Sequence, residues 1–132
     1  MRFVSTSEEE TFGIAKNYAK TLKKGDVVLL AGDLGAGKTA FVKGVADYFG
    51  ISGVVSPTYA YLNIYGDLIY HYDCYRLSSG EEAELLGLTD YFNGDNICFI
   101  EWAENIKDVL PENCKTVTIT KSEKDCERII EL

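Results

Sequence analysis

Eight consecutive residues, Gly32-Asp33-Leu34-Gly35-Ala36-Gly37-Lys38-Thr39, combine the types needed to grip a string of phosphates. Glycines at 32, 35 and 37 let the backbone curl until successive N–H groups point inward at an anion. The positive end of a following helix adds only about half an elementary charge. A triphosphate carries several negative charges, so backbone and dipole cannot balance it alone. Lys38 is expected to reach the β- and γ-phosphates, and the Thr39 hydroxyl to bind Mg²⁺, which supplies most of the remaining positive charge. The expected ligand is a nucleoside triphosphate, ATP with Mg²⁺. The competing reading is a glycine turn with an incidental lysine, and the flanking sequence decides against it. Val27-Val28-Leu29-Leu30-Ala31 is an unalternating apolar run suited to a central parallel strand. Phe41, Val42, Val45, Ala46 and Phe49 then form a helical apolar stripe ended by Gly50. Strand, glycine loop and helix are the context this motif requires.

A second magnesium-side carboxylate is expected at the end of a neighbouring strand. Glu101, after the apolar run Ile97-Cys98-Phe99-Ile100, is the best-placed acid, although a strand-end surface acid is nearly as good a reading. Asp73, just past a strand in His71-Tyr72-Asp73-Cys74-Tyr75-Arg76-Leu77, can orient water or meet magnesium through water; by itself it reads as a loop acid. Thr58, in Ser56-Pro57-Thr58-Tyr59, sits where a loop can meet the γ-phosphate, against the plain alternative of a turn. His71 is the only histidine, and a lone histidine between tyrosines is more often packed and hydrogen-bonded than catalytic. Trp102 packs against the site or fills core. The tyrosines at 59, 61, 65, 70, 72 and 75 suit sheet packing.

These residues need a scaffold. Ser7-Glu8-Glu9-Glu10 has the capping-box pattern, Ala15, Tyr18, Ala19 and Leu22 follow at helical spacing, and Gly25 is a plausible stop. Thr58 to Tyr65 and Leu68 to Tyr72 read as strands joined at Gly66-Asp67. Ser78-Ser79-Gly80-Glu81 opens a helix that Leu85-Leu86-Gly87 closes. Asn96 to Ile100 is a buried strand, Ala103 to Leu110 a short helix before Pro111, and Thr116–Thr120 with Cys126–Leu132 a closing hairpin around Ser122-Glu123-Lys124-Asp125. The expected architecture is α/β: a P-loop NTPase-type central sheet, largely parallel with antiparallel hairpin additions, flanked by helices.

The 132 residues suit one domain, 1–132, and the apolar share of 46% is that of a globular chain. No apolar run nears the roughly 18 residues of a membrane span, and Met1 to Ser5 lacks a secretory-type stretch, so a cytoplasmic protein is expected. Cys74, Cys98, Cys114 and Cys126 form no C-x₂₋₄-C pair, which disfavours zinc and fits reduced thiols, with Cys98 in the core. A net charge of −8 argues against direct tRNA or duplex binding, which needs a clustered basic face. Lys16, Lys20, Lys23 and Lys24 gather only as a solvated helix face.

The glycine loop, Ser56-Pro57-Thr58-Tyr59, Tyr70-His71-Tyr72-Asp73-Cys74-Tyr75-Arg76-Leu77, Leu86-Gly87-Leu88, Asp90-Tyr91-Phe92 and Phe99-Ile100-Glu101-Trp102-Ala103-Glu104 occur in an order and spacing covering nearly the whole chain. Together they resemble the TsaE (YjeE) family of bacterial P-loop ATPases. The loop alone is shared by many NTPases; the YH-x-D-x-YRL and IEW segments carry the identification. The resemblance implies a weak ATPase that works with TsaD and TsaB in forming N6-threonylcarbamoyladenosine at position 37 of tRNAs reading ANN codons. The carbamoyl transfer belongs to TsaD, and tRNA is met only indirectly, through the complex. By position, Lys38 and Thr39 hold phosphate and Mg²⁺, Glu101 is the second magnesium carboxylate, Thr58 a switch-type threonine and Asp73 a residue needed for hydrolysis. Glu8, Thr11 and Arg128 match the family's base-end positions.

Three rivals stand beside this reading. A small P-loop kinase acting on a metabolite clamps its transferring phosphoryl group with several arginines, whereas this chain has only Arg2, Arg76 and Arg128. A GTPase switch is suggested by Asp47-Tyr48-Phe49-Gly50, but that falls at a helix end, and Asn105-Ile106-Lys107-Asp108 has guanine-reading letters in the wrong order. A nucleotide-dependent interaction module overlaps with the main reading, since a weak ATPase that gates a partner is both.

Overall fold

The structure, a computed structural model, describes residues 1–33, 36–54 and 61–132. Its strands are β1 (Arg2–Ser5), β2 (Val27–Gly32), β3 (Leu62–Tyr65), β4 (Ile69–Asp73), β5 (Ile97–Glu101), β6 (Lys115–Lys121) and β7 (Arg128–Glu131). Its α-helices are α1 (Glu8–Ala19), α2 (Lys38–Tyr48) and α3 (Gly80–Leu85). The strand order is β1-β7-β6-β2-β5-β4-β3. β2, β5 and β4 run parallel, while the pairs β1/β7, β6/β7 and β3/β4 are antiparallel. The chain is thus an α/β protein whose parallel centre carries antiparallel additions. Among the described residues no helix is long and apolar enough to cross a membrane.

The residues cluster into two compact units, one of Met1–Leu22, Ala31–Ser56 and Thr116–Leu132, the other of Lys23–Leu30 and Pro57–Lys115. In the first, Ser7 caps α1: its Oγ accepts from Glu10 N at 3.1 Å, and Glu10 Oε1 reaches back to Thr6 N at 3.2 Å, one residue before the cap. The helix ends at Ala19, not at Gly25. Leu22 N bonds to Ala19 O and Thr21 Oγ1 to Tyr18 O, tightening the last turn while Leu22 stays buried outside the helix. α1 lies against α2 where side chains are small. A Cβ on Gly44 would stand 2.5 Å from Phe12 O and 2.6 Å from Ala15 Cβ, so only glycine permits that approach. β1 was not anticipated. Four residues at a sheet edge, Arg-Phe-Val-Ser, carry no polar–apolar alternation to read.

In the second unit, Gly66 and Asp67 both adopt positive φ (+59° and +54°), the tight turn expected between β3 and β4. Thr58 to Ala60, predicted as strand, lie outside the described residues. Ser79 caps α3, its Oγ accepting from Glu82 N. Ala103 to Val109 forms 3₁₀ turns with a break at buried Ile106 (φ −130°, ψ 26°), where a single α-helix was expected; Trp102, at φ +60°, starts it from a left-handed residue. One face of β2, β4 and β5 builds the core from Val27, Tyr72, Cys98 and Ile100, closed by Leu77 and Ile106. Burial pushes the Cys74 and Cys98 thiols up to about 12, so both stay protonated and unreactive near neutral pH. All four cysteines are free thiols.

Candidate functional site

In the first unit, β2 ends at Gly32 with φ +127°, where a Cβ would lie 1.8 Å from Ile119 O. Only glycine lets the chain leave the strand there. Asp33 ties the loop to β6: its N–H donates to Ile119 O at 3.2 Å, and its Oδ2 accepts from Lys121 N at 2.9 Å. Gly37, at φ +107°, starts α2 without a side chain to cap it, and no acid occupies the first turn. The N–H groups of Lys38, Thr39 and Ala40 have no carbonyl four residues back within the helix, which leaves a positive, donor-rich end. Lys38 is buried and folds back so that Nζ donates to Gly32 O at 3.3 Å. Thr39, half-buried, sits in that same first turn. Leu34 and Gly35 lie outside the described residues. The donor set fits an oxyanion: uncapped backbone N–H groups plus one ammonium, with no carboxylate in the helix start to repel it.

Glu8, Thr11 and Arg128 come to one place. With Ala36, Gly37 and Ala40 they line a cleft of about 460 Å³ that Cys126 also borders, within the roughly 300–1,000 Å³ of small-molecule sites. The antiparallel register Ser5↔Arg128 brings the two chain ends side by side. Thr11 is nearly fully buried, with its hydroxyl 2.7 Å from Ser5 Oγ. Ser5 donates to Ser7 O, so Thr11 is the donor in that pair and its hydroxyl hydrogen is committed within the protein. Arg128 Nη1 donates to Glu127 O at 3.0 Å. A larger apolar groove of about 850 Å³, lined by Met1, Phe3, Ile14, Tyr18 and Leu132 among others, contains none of the predicted site residues.

In the second unit, the parallel register of β4 on β5 sets Asp73 directly beside Glu101. Both stand at the carboxyl ends of central strands, where open α/β sheets bind ligands. Asp73 Oδ1 accepts from Tyr75 N at 3.0 Å, fixing the turn out of β4. Glu101 Oε2 lies 2.6 Å from Nε2 of the fully buried His71. Trp102 follows at φ +60°, a left-handed conformation costly for so bulky a residue, with its ring edge-on to Tyr75 at 5.0 Å. Among the described residues no three His, Cys, Asp or Glu side chains form a ready cation cage. Asp73 and Glu101, side by side, offer carboxylate oxygens, the ligand type that Mg²⁺ takes alongside water and phosphate.

Thr58 falls outside the described residues. His71 is packed and hydrogen-bonded, as expected of a lone histidine, but its partner is Glu101, a predicted site acid, and that pairing comes from the β4/β5 register, which no spacing in the sequence signals. The letters that suggested a GTPase are otherwise engaged. Asp47 lies at the end of α2 and pairs with Lys16 at 2.9 Å, and Asn105 donates to Cys74 O at 3.0 Å. Arg76 stacks on Tyr61 at 5.1 Å.

Residues 5–130 match the family model described as threonylcarbamoyl adenosine biosynthesis protein TsaE. A Bacillus subtilis tRNA threonylcarbamoyladenosine biosynthesis protein TsaE is 42% identical over 129 residues, spanning 95% of this chain and 80% of that protein. Its Haemophilus influenzae namesake is 50% identical over 94 residues, spanning 68% of this chain and 60% of the relative's length. The crystal structure of Bacillus subtilis YdiB superposes with a TM-score of 0.82 at 40% identity, covering 98% of this chain and 82% of the other. On these matches the chain belongs to the TsaE family.

Proposed function

We propose that this protein binds ATP with Mg²⁺ at the loop 32–39, hydrolyses it weakly, and supports formation of N6-threonylcarbamoyladenosine at position 37 of tRNAs reading ANN codons, together with TsaB and TsaD. One observation carries the nucleotide reading: Lys38 is folded back onto the loop carbonyl of Gly32 at the uncapped start of α2. In this account Lys38 grips the β- and γ-phosphates, Thr39 and Glu101 serve Mg²⁺, Asp73 orients the attacking water, and Thr58 meets the γ-phosphate. Glu8, Thr11 and Arg128 bound the base end. Mg²⁺ supplies charge neutralisation on the phosphates. The carbamoyl transfer stays with TsaD, and the net charge of −8 fits a protein that leaves tRNA to a partner.

The kinase alternative calls for several arginines as a clamp, whereas the sequence has three, of which Arg76 is stacked on Tyr61. The test is to incubate the protein with Mg²⁺ and ATP, or with GTP, across a metabolite panel. Inorganic phosphate release without a phosphorylated acceptor, and tighter binding of ATP than of GTP, are expected. A phosphorylated metabolite formed stoichiometrically with ADP contradicts the proposal.

A further inference from the structure

We infer that His71 is a positioning residue for Glu101, its Nε2–H fixing the carboxylate so that a divalent cation is held tightly; this rests on Glu101 being the metal carboxylate proposed above. The register His71↔Phe99 and Asp73↔Glu101 makes His71 and Glu101 diagonal neighbours on one face of adjacent strands. Their separation of 2.6 Å is at the short end for a nitrogen donor on a carboxylate. A carboxylate only accepts, so the hydrogen is on Nε2 and the ring tautomer is set by this bond.

The surroundings show that packing alone does not explain an imidazole here. His71 is fully buried, as are Ile69 and Phe99 on the same face of the two strands. Its Nδ1 is the buried side-chain atom left without a hydrogen-bond partner among the described residues. Burying a ring nitrogen unpaired costs stability that an aliphatic side chain would avoid. The return is at Nε2. Glu101 itself keeps a side-chain exposure of 13%, open enough to meet a ligand. Beyond it the chain direction is set by Trp102 in its left-handed conformation. Partners of this kind behind a metal ligand restrict its orientation, and losing one weakens metal binding about 10–100-fold.

The experiment measures Mn²⁺ binding to the full chain at saturating ADP, from the EPR signal of free Mn²⁺, with ADP affinity in EDTA and thermal melts run in parallel. His71→Leu, which fills the volume without a donor, is expected to weaken Mn²⁺ about 10–100-fold while ADP affinity in EDTA holds. His71→Gln places an amide nitrogen near the position of Nε2 and is expected to restore binding to within about threefold. Glu101→Gln is expected to weaken Mn²⁺ as well, and adding His71→Leu to it to have little further effect. If Glu101→Gln weakens Mn²⁺ but His71→Leu does not, or if the Gln and Leu variants fall together, the role of His71 is overturned. If Glu101→Gln leaves Mn²⁺ affinity unchanged, the reading of Glu101 itself fails, and the inference with it. Should His71→Leu not fold, His71→Asn, too short to reach Glu101, takes its place against His71→Gln with the same two outcomes.

Discussion

Gly32→Ala is expected to lower the melting temperature by roughly 10 °C or more and to abolish nucleotide binding. Two costs combine at this position. Alanine must adopt φ +127°, a conformation L side chains rarely take, and its Cβ would stand 1.8 Å from the backbone oxygen of Ile119. Conformational strain of about 1–3 kcal/mol adds to overpacking of similar size. Relief requires either β6 or the loop to move, and Asp33 ties the two together through Lys121 N. The loss of fold and the loss of the phosphate grip are therefore coupled. Gly37→Ala provides the control: its Cβ meets nothing within 4 Å among the described residues, which leaves the strain of φ +107°, and the melting temperature should fall less. Equal melting temperatures for Gly32→Ala and the parent protein contradict the close approach.

Lys38→Ala has the opposite profile: a large effect on binding with the fold intact. A hydrogen bond from an ionised group is worth about 1.5–3 kcal/mol, which corresponds to a roughly 10–150-fold rise in the ATP dissociation constant. The fold is expected to hold because the bond from the ammonium to the loop carbonyl Gly32 O is long, at 3.3 Å, and contributes little to stability. Calorimetric titration with Mg²⁺–ATP, beside a thermal melt, measures both quantities. An unchanged dissociation constant removes Lys38 from the phosphate grip.

Local signals account for what the sequence revealed. The apolar run of β2, the glycines at 32 and 37 and the stripe of α2 all lie between Val27 and Phe49, and the cap at Ser7 and the turn at Gly66-Asp67 are local too. Tertiary effects account for the rest. α1 stops at Ala19 although its apolar spacing continues to Leu22, because a tightened last turn lets Leu22 be buried without helix. The segment from Ala103 is broken at Ile106, whose burial outweighs helical regularity. β1 is too short to show a period, yet its pairing with β7 is what brings Glu8, Thr11 and Arg128 around one cleft. No spacing rule joins residues about 120 positions apart. The adjacency of Asp73 and Glu101 likewise comes from the parallel register of β4 and β5, and the bond from His71 follows from the same register. The resemblance groups these two acids, and the strand register supplies the physical reason.

The central claim is that ATP held by this chain serves tRNA modification carried out with partners. Reconstitution tests it most directly: TsaB, TsaD, tRNA and a threonylcarbamoyl-adenylate source are combined with ATP and Mg²⁺, with and without this protein, and N6-threonylcarbamoyladenosine is quantified by nucleoside analysis over several turnovers. The account predicts product accumulating beyond the first turnover only when the chain is present, and not when Lys38→Ala replaces it. The same yield with and without the chain contradicts the account.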